Sequence, residues 1–177
     1  MQQEMVPGLF SFEVEAQYDK MPDFRILTFE NGNWPDEPVT YRDIFLKGCK
    51  MAKALKQAGI GNGDRFSVIM KNHPEMIYAM VAASLTGAVI VPIDPRSKGN
   101  KLSYQIRDSN SKGIIFTNEY AGEVAKSLQE LPDVKVIGVV YKPGFETPRR
   151  DQYPDLGAIL YVPDVPPSED RKRYHNS

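Results

Sequence analysis

Between residues 66 and 141, short apolar runs alternate with helical stretches, and this order leaves few architectures open. Residues 66–70, 88–93, 113–116 and 134–141 carry the apolar, β-branched character of strands. Residues 74–85, 101–108 and 119–131 have the spacing of helices, the first opened by Pro74, a residue suited to the first helical turn. Strands that are apolar without alternation, separated by helices, predict a mostly parallel sheet with helices on both faces. The fold class is α/β, with right-handed crossovers.

The stretch before this region reads as a prelude to it. Leu9, Phe12 and Ala16 give a modest helix signal, and residues 25–29 form a β-branched and aromatic strand closed by Asn31, Gly32 and Asn33. Pro38, Val39 and Thr40 are its expected short partner. Thr40, with Asp43 three residues on, has the form of a helix-opening capping box. Ile44, Phe45, Gly48, Met51, Ala52 and Leu55 then share one helical face, and Gly59 stands where a C-terminal cap belongs. After Tyr141 the pattern gives way to prolines and mixed charge, with residues 155–161 the one plausible element. The expected organisation is an α/β subdomain over 1–141 and a loop-rich tail or linker over 142–177.

Charge and cysteine usage exclude several functions. A formal net charge of -1 gives no field to draw the chain to nucleic acid or anionic lipid. The single cysteine, Cys49, cannot close an internal disulfide, and no cysteine–histidine spacing suits zinc. No stretch reads as a transmembrane segment or signal peptide, since Gly87 and Pro92 interrupt the most apolar region. A reducing cytoplasm is the expected compartment. Arg149-Arg150 and Arg171-Lys172-Arg173 alternate with acids and read as solvated charge, and His175 has no evident role.

Two segments in this order carry a family resemblance. The first runs Val39-Thr40-Tyr41-Arg42-Asp43-Ile44, then the amphipathic helix, then Ala58-Gly59-Ile60-Gly61-Asn62-Gly63-Asp64-Arg65-Phe66. The second is Ala83-Ser84-Leu85-Thr86-Gly87-Ala88-Val89-Ile90-Val91-Pro92-Ile93-Asp94-Pro95-Arg96, with Lys71-Asn72-His73-Pro74-Glu75 between them. Together they resemble the opening of the adenylate-forming superfamily, over roughly residues 38–141. Read from the residues, most of these motifs are structural. Gly59, Gly61 and Gly63 allow a tight reversal in which Asp64 accepts backbone hydrogen bonds, and there is no GxxxxGK(S/T) or GxGxxG phosphate loop.

The resemblance implies the N-terminal portion of an AMP-forming acyl-CoA synthetase acting in fatty acid metabolism. In the whole enzyme, ATP and Mg²⁺ activate a carboxylate and CoA then displaces AMP. Arg96 follows the carboxyl end of a strand, where open α/β sheets place ligands, and matches a family arginine that approaches CoA phosphates. The competing role for Arg96 is a surface pair with Asp94. No catalytic and no metal-binding residue is expected in this chain, which binds no cofactor alone. The Ser/Thr/Gly-rich loop ending in Pro-Lys-Gly does not occur in it, nor do the family's later nucleotide motifs. Its expected partner is the remainder of the same enzyme, docked on an exposed apolar face. Asn72 and His73 occupy a comparable strand-to-helix turn, where His73 is expected to cap or solvate the turn, and Cys49 is expected to be buried. The alternatives are a free-standing flavodoxin-like binding module and a peptide-synthetase adenylation fragment.

Overall fold

A computed structural model describes residues 10–160, apart from 31, 33–34, 143 and 146–151. The expectations for Leu9, Asn31, Asn33, the two basic runs and His175 therefore lie outside the described residues.

Helix α1 (Phe10–Lys20) leads to the antiparallel pair β1 (Arg25–Phe29) and β2 (Glu37–Thr40). Helix α2 (Tyr41–Gln57) starts at Thr40, and the expected capping box is present. The Asp43 amide donates to Thr40 Oγ1 at 3.2 Å, and the Thr40 amide donates to Asp43 Oδ2 at 3.0 Å. Two of the helix's first free amide groups are thereby satisfied. All six apolar-face residues expected on α2 are buried. Gly59, just past the helix, adopts φ +78, and Gly63 adopts φ +77, while Gly61 does not need the left-handed region. Asp64 accepts the Gly61 amide at 3.1 Å, as the turn's composition requires.

The remaining elements are β3 (Arg65–Ile69), α3 (Pro74–Thr86), β4 (Val89–Pro92), α4 (Gly99–Asp108) and β5 (Ser111–Thr117). A 3-10 turn over Asn118–Tyr120 precedes α5 (Ala121–Gln129), followed by β6 (Lys135–Val140) and the short α6 (Leu156–Leu160). The sequence pattern starts this helix at residue 119; instead Glu119 stands in the tighter turn before α5. The last element matches the one expected beyond residue 141, and Asp155 beside it forms a parallel bridge with Val139.

Strands β4-β3-β5-β6 form a four-stranded, all-parallel sheet in that order. Two cores sandwich it. One face packs Phe66, Val68 and Ile115 against α2 and α3, and the other packs Ile69, Ile114 and Phe116 against α4 and α5. Helices α2 and α3 approach so closely that a Cβ on Gly48 would lie 2.5 Å from Val81 Cγ1. Cys49 is buried beside this contact. The β4 strand departs from expectation. Its apolar run predicts burial on both faces, yet Val89 is 46% exposed, because β4 is an edge strand with a neighbour on one side only. Among the described residues no helix is long and apolar enough to cross a membrane.

The helix–helix contact yields a direct test. Gly48→Val should lower stability by about 1–3 kcal/mol through overpacking. Gly61→Ala, at a site with nothing within 4 Å and no positive φ, should change it by less than about 0.5 kcal/mol. Urea denaturation of both variants measures the difference.

Candidate functional site

In the sheet order, β3 and β5 are neighbours whose onward connections leave in opposite directions, β3 toward β4 and β5 toward β6. This is a topological switch point, and the carboxyl ends of such strands frame a crevice. A cleft of about 1360 Å³ lies there. Its lining comes from the ends of five strands: Phe29 and Glu30 at the end of β1, Lys71, Asn72 and His73 after β3, Pro95 and Arg96 after β4, Glu119 after β5, and one residue after β6. Lys142, after β6, and Phe145 close the far side. A smaller groove of about 470 Å³, lined by Leu27, Phe29, Met76 and Ile77, continues from it past His73.

Three cations line the cleft, and each already holds a carboxylate. Arg96 pairs with Asp94: the Arg96 amide and Nε donate to Asp94 Oδ1 at 2.9 and 3.1 Å, and an Nη donates to Oδ2 at 2.9 Å. These hydrogen bonds hold the Asp94 carboxyl down at about 2. The Arg96 side chain nevertheless remains 89% exposed, so the guanidinium is oriented by Asp94 while still open to solvent and solutes. Lys71 Nζ donates to Glu119 Oε1 at 2.6 Å and lies 5.8 Å from the centre of the Phe145 ring. Glu119 and desolvation together push the Tyr120 hydroxyl up to about 12, desolvation having the larger effect.

Lys142 is held differently. Asn118 grips its backbone, accepting the Lys142 amide at 2.9 Å and donating Nδ2 to its carbonyl at 3.2 Å. The Lys142 side chain, 11% exposed, then donates to Glu75 Oε1 at 2.9 Å in the first turn of α3 and lies 4.0 Å from Glu37 of β2. One residue thus ties the hairpin, α3 and the ends of β5 and β6 together beneath the cleft.

Of the two roles expected of His73, capping or solvating its turn, its side chain does not perform the first. Its backbone occupies the N-cap position of α3, but its side chain makes no capping hydrogen bond. The ring is half-buried, 5.2 Å from that of Phe29, and Nδ1 has no partner. Burial, and then the positive charge of Lys142, lower its pKa below the ordinary histidine value. The imidazole therefore stands neutral at pH 7, a small polar surface between the cleft and the apolar groove.

The structure brings Arg96, Asn72 and His73 to one cleft. Lys71, Glu119 and Lys142, which carry no motif of their own, join them there. Each follows the carboxyl end of a parallel strand, so the rule that singled out Arg96 would have found them too. Among the described residues no group of three histidine, cysteine, aspartate or glutamate side chains could hold a metal ion.

Fold and cleft define a doubly wound α/β domain whose switch-point crevice mixes charged and apolar side chains. A family model described as AMP-binding enzyme matches residues 14–171, and the chain belongs to that family. Among curated relatives, a medium/long-chain-fatty-acid–CoA/3-oxocholest-4-en-26-oate–CoA ligase of Mycobacterium marinum is 30% identical over 105 residues, 59% of this chain and 19% of that protein. Tyrocidine synthase 3 of Brevibacillus parabrevis is 24% identical over 151 residues, 84% of this chain and 2% of that protein. The chain thus spans a fifth or less of these two relatives. The solved acetoacetyl-CoA synthetase of Streptomyces lividans superposes with a TM-score of 0.73 at 20% identity, covering 88% of this chain and 25% of that one. A benzoate CoA ligase of Burkholderia xenovorans gives 0.68 at 14%, covering 85% and 28%. The fold is therefore that of part of an adenylate-forming enzyme.

Removing the charge on Lys142 tests how far the cleft depends on it. Lys142→Met should destabilise the chain by about 3–5 kcal/mol, because it leaves Glu75 buried without its counter-charge. Adding Glu75→Gln should recover part of that loss, as read from thermal or urea denaturation of the single and double variants.

Proposed function

We propose that this chain is the N-terminal portion of an AMP-forming carboxylate–CoA ligase and forms the part of its lobe that meets the nucleotide end of CoA. The observation that carries this reading is Arg96, whose exposed guanidinium is oriented at the mouth of the switch-point cleft. A planar, permanently charged fork matches a phosphate group geometrically, and partial pairing with Asp94 keeps it in place until a stronger anion arrives. Lys71, after the neighbouring strand β3, adds a second positive charge to the lining of the same cleft. Similarity to CoA ligases supports the acyl-CoA synthetase reading, with fatty acid metabolism and a cytoplasmic setting as its natural extension.

In this reading the whole enzyme converts ATP, a carboxylate and CoA to acyl-CoA, AMP and pyrophosphate, and this chain alone is inactive. In that reaction Mg²⁺ would be held mainly by the substrate phosphates with one or two carboxylates, and this reading assigns no such carboxylate to the chain. The sequence also has no glycine- and hydroxyl-rich loop ending in Pro-Lys-Gly to surround transferring phosphates. Adenylation is accordingly assigned to polypeptide other than this chain, its partner in the same enzyme. A second reading, an adenylation-domain segment of a peptide synthetase, is favoured by the longer match to tyrocidine synthase 3.

The two readings separate on CoA. Titrating this chain with CoA and with dephospho-CoA, followed by heteronuclear NMR, should shift signals around Arg96 and Lys71 more strongly with CoA. Arg96→Ala should weaken CoA binding about tenfold, the expected loss of a charge-assisted phosphate contact. Equal responses to both ligands, or no effect of the substitution, would remove the CoA role and leave the peptide-synthetase reading in front.

A further inference from the structure

Arg96 reaches the cleft from a turn that the sequence specifies locally. Residues 94–97 read Asp-Pro-Arg-Ser, the order of a β-turn with an acceptor first and proline second. The Ser97 amide closes the turn by donating to the Asp94 carbonyl at 2.9 Å. Both ends of the turn are fixed. Before it, Ile93 is buried and its amide donates to the Val68 carbonyl of β3 at 3.0 Å; after it, Ser97 is buried. Inside this frame the backbone holds the Asp94 carboxylate, because Oδ1 accepts the Arg96 amide at 2.9 Å. The Arg96 side chain has no such hold. Among the described residues its hydrogen bonds all go to Asp94.

The donors of Arg96 decide what this pairing leaves free. A guanidinium carries one N–H on Nε and two on each Nη. Asp94 takes Nε, at 3.1 and 3.2 Å to its two oxygens, and one hydrogen of Nη2, at 2.9 Å. The second hydrogen of Nη2 and both of Nη1 stay free, on the edge of the plane away from Asp94. That edge is itself a fork suited to two oxygens of a phosphate. We propose that Asp94 is a positioning residue for phosphate binding: it keeps the Nε side of Arg96 while the phosphate takes the outer edge, so that both anions share one guanidinium. The assignment rests on the reading of this cleft as the site of CoA's phosphate end. The sign of one substitution separates the role from simple charge. Were Asp94 only an anion beside an anion site, removing it would strengthen phosphate binding. As a positioning residue, its removal frees a long side chain that the ligand must then immobilise, and binding weakens.

Calorimetric titration of the whole 177-residue chain with CoA, beside NMR of its arginine side-chain N–H groups, tests the proposal. Asp94→Ala should weaken CoA binding about fivefold, the order of what immobilising one long side chain costs. Asp94→Asn keeps an oxygen for the Arg96 amide and Nε, and should recover part of that loss. Arg96→Lys should lose most of what Arg96→Ala loses, because a point charge does not serve two anions as a planar fork does. The Arg96 Nε–H signal, identified by its absence from Arg96→Ala, should keep its hydrogen-bonded shift at saturating CoA and lose it in Asp94→Ala. Far-UV circular dichroism checks that each variant keeps its fold. If CoA fails to bind, or Arg96→Ala leaves its binding unchanged, the CoA reading falls and the positioning role with it. If Arg96→Ala weakens binding while Asp94→Ala strengthens it or leaves it unchanged, the positioning role alone is overturned. An Nε–H signal that moves to its free position when CoA binds overturns it too, since the phosphate would then have displaced Asp94.

Discussion

Strands β3 and β5 bury side chains on both of their faces, and most of what is polar in this chain is arranged around that fact. Phe66, Val68 and Ile115 face one core while Ile69, Ile114 and Phe116 face the other, none of them more than 1% exposed. Such strands leave no room for charged chemistry along their length, so functional groups collect where the strands end. The sheet order then decides which end matters. Because the chain leaves the paired ends of β3 and β5 in opposite directions, the connections after them diverge and open a crevice lined with lysine, arginine, glutamate and histidine.

Within that crevice the charges come in pairs, and the pairs differ in burial. Lys142 and Glu75 are both about nine-tenths covered and act as a structural tie, made specific by the two-way grip of Asn118 on the Lys142 backbone. Arg96 and Asp94 are largely solvated, so their pairing orients the guanidinium without committing it. Lys71 and Glu119 lie between these extremes. A gradient from buried tie to exposed fork gives a rigid floor and an adaptable rim.

Much of this was legible in the residues. The α/β class followed from the uninterrupted apolar runs, and the start of α2 from Thr40 and Asp43, because a capping box is a local interaction that needs no tertiary partner. The end of α3 followed from Gly87, whose φ of +71 few other residues adopt cheaply. The departures have a common cause in long-range geometry. Nothing in the local pattern says that β4 is an edge, so its exposure had to come from the sheet order. The grip of Asn118 on Lys142 joins residues 24 apart, and the contact of His73 with Phe29 spans 44 positions, which no local periodicity records. Arg96 was found because it follows an obvious strand, but its pairing with Asp94 shows how one position can serve both orientation and binding.

The proposed division of labour gives this chain a scaffold and a nucleotide-facing rim, and leaves the groups that grip the transferring phosphates to other polypeptide of the enzyme. Incubating the purified chain with ATP, Mg²⁺ and a panel of carboxylates, and following pyrophosphate, measures that division directly. No release above the protein-free blank is expected for any carboxylate; release that depends on both the chain and a carboxylate would overturn that division.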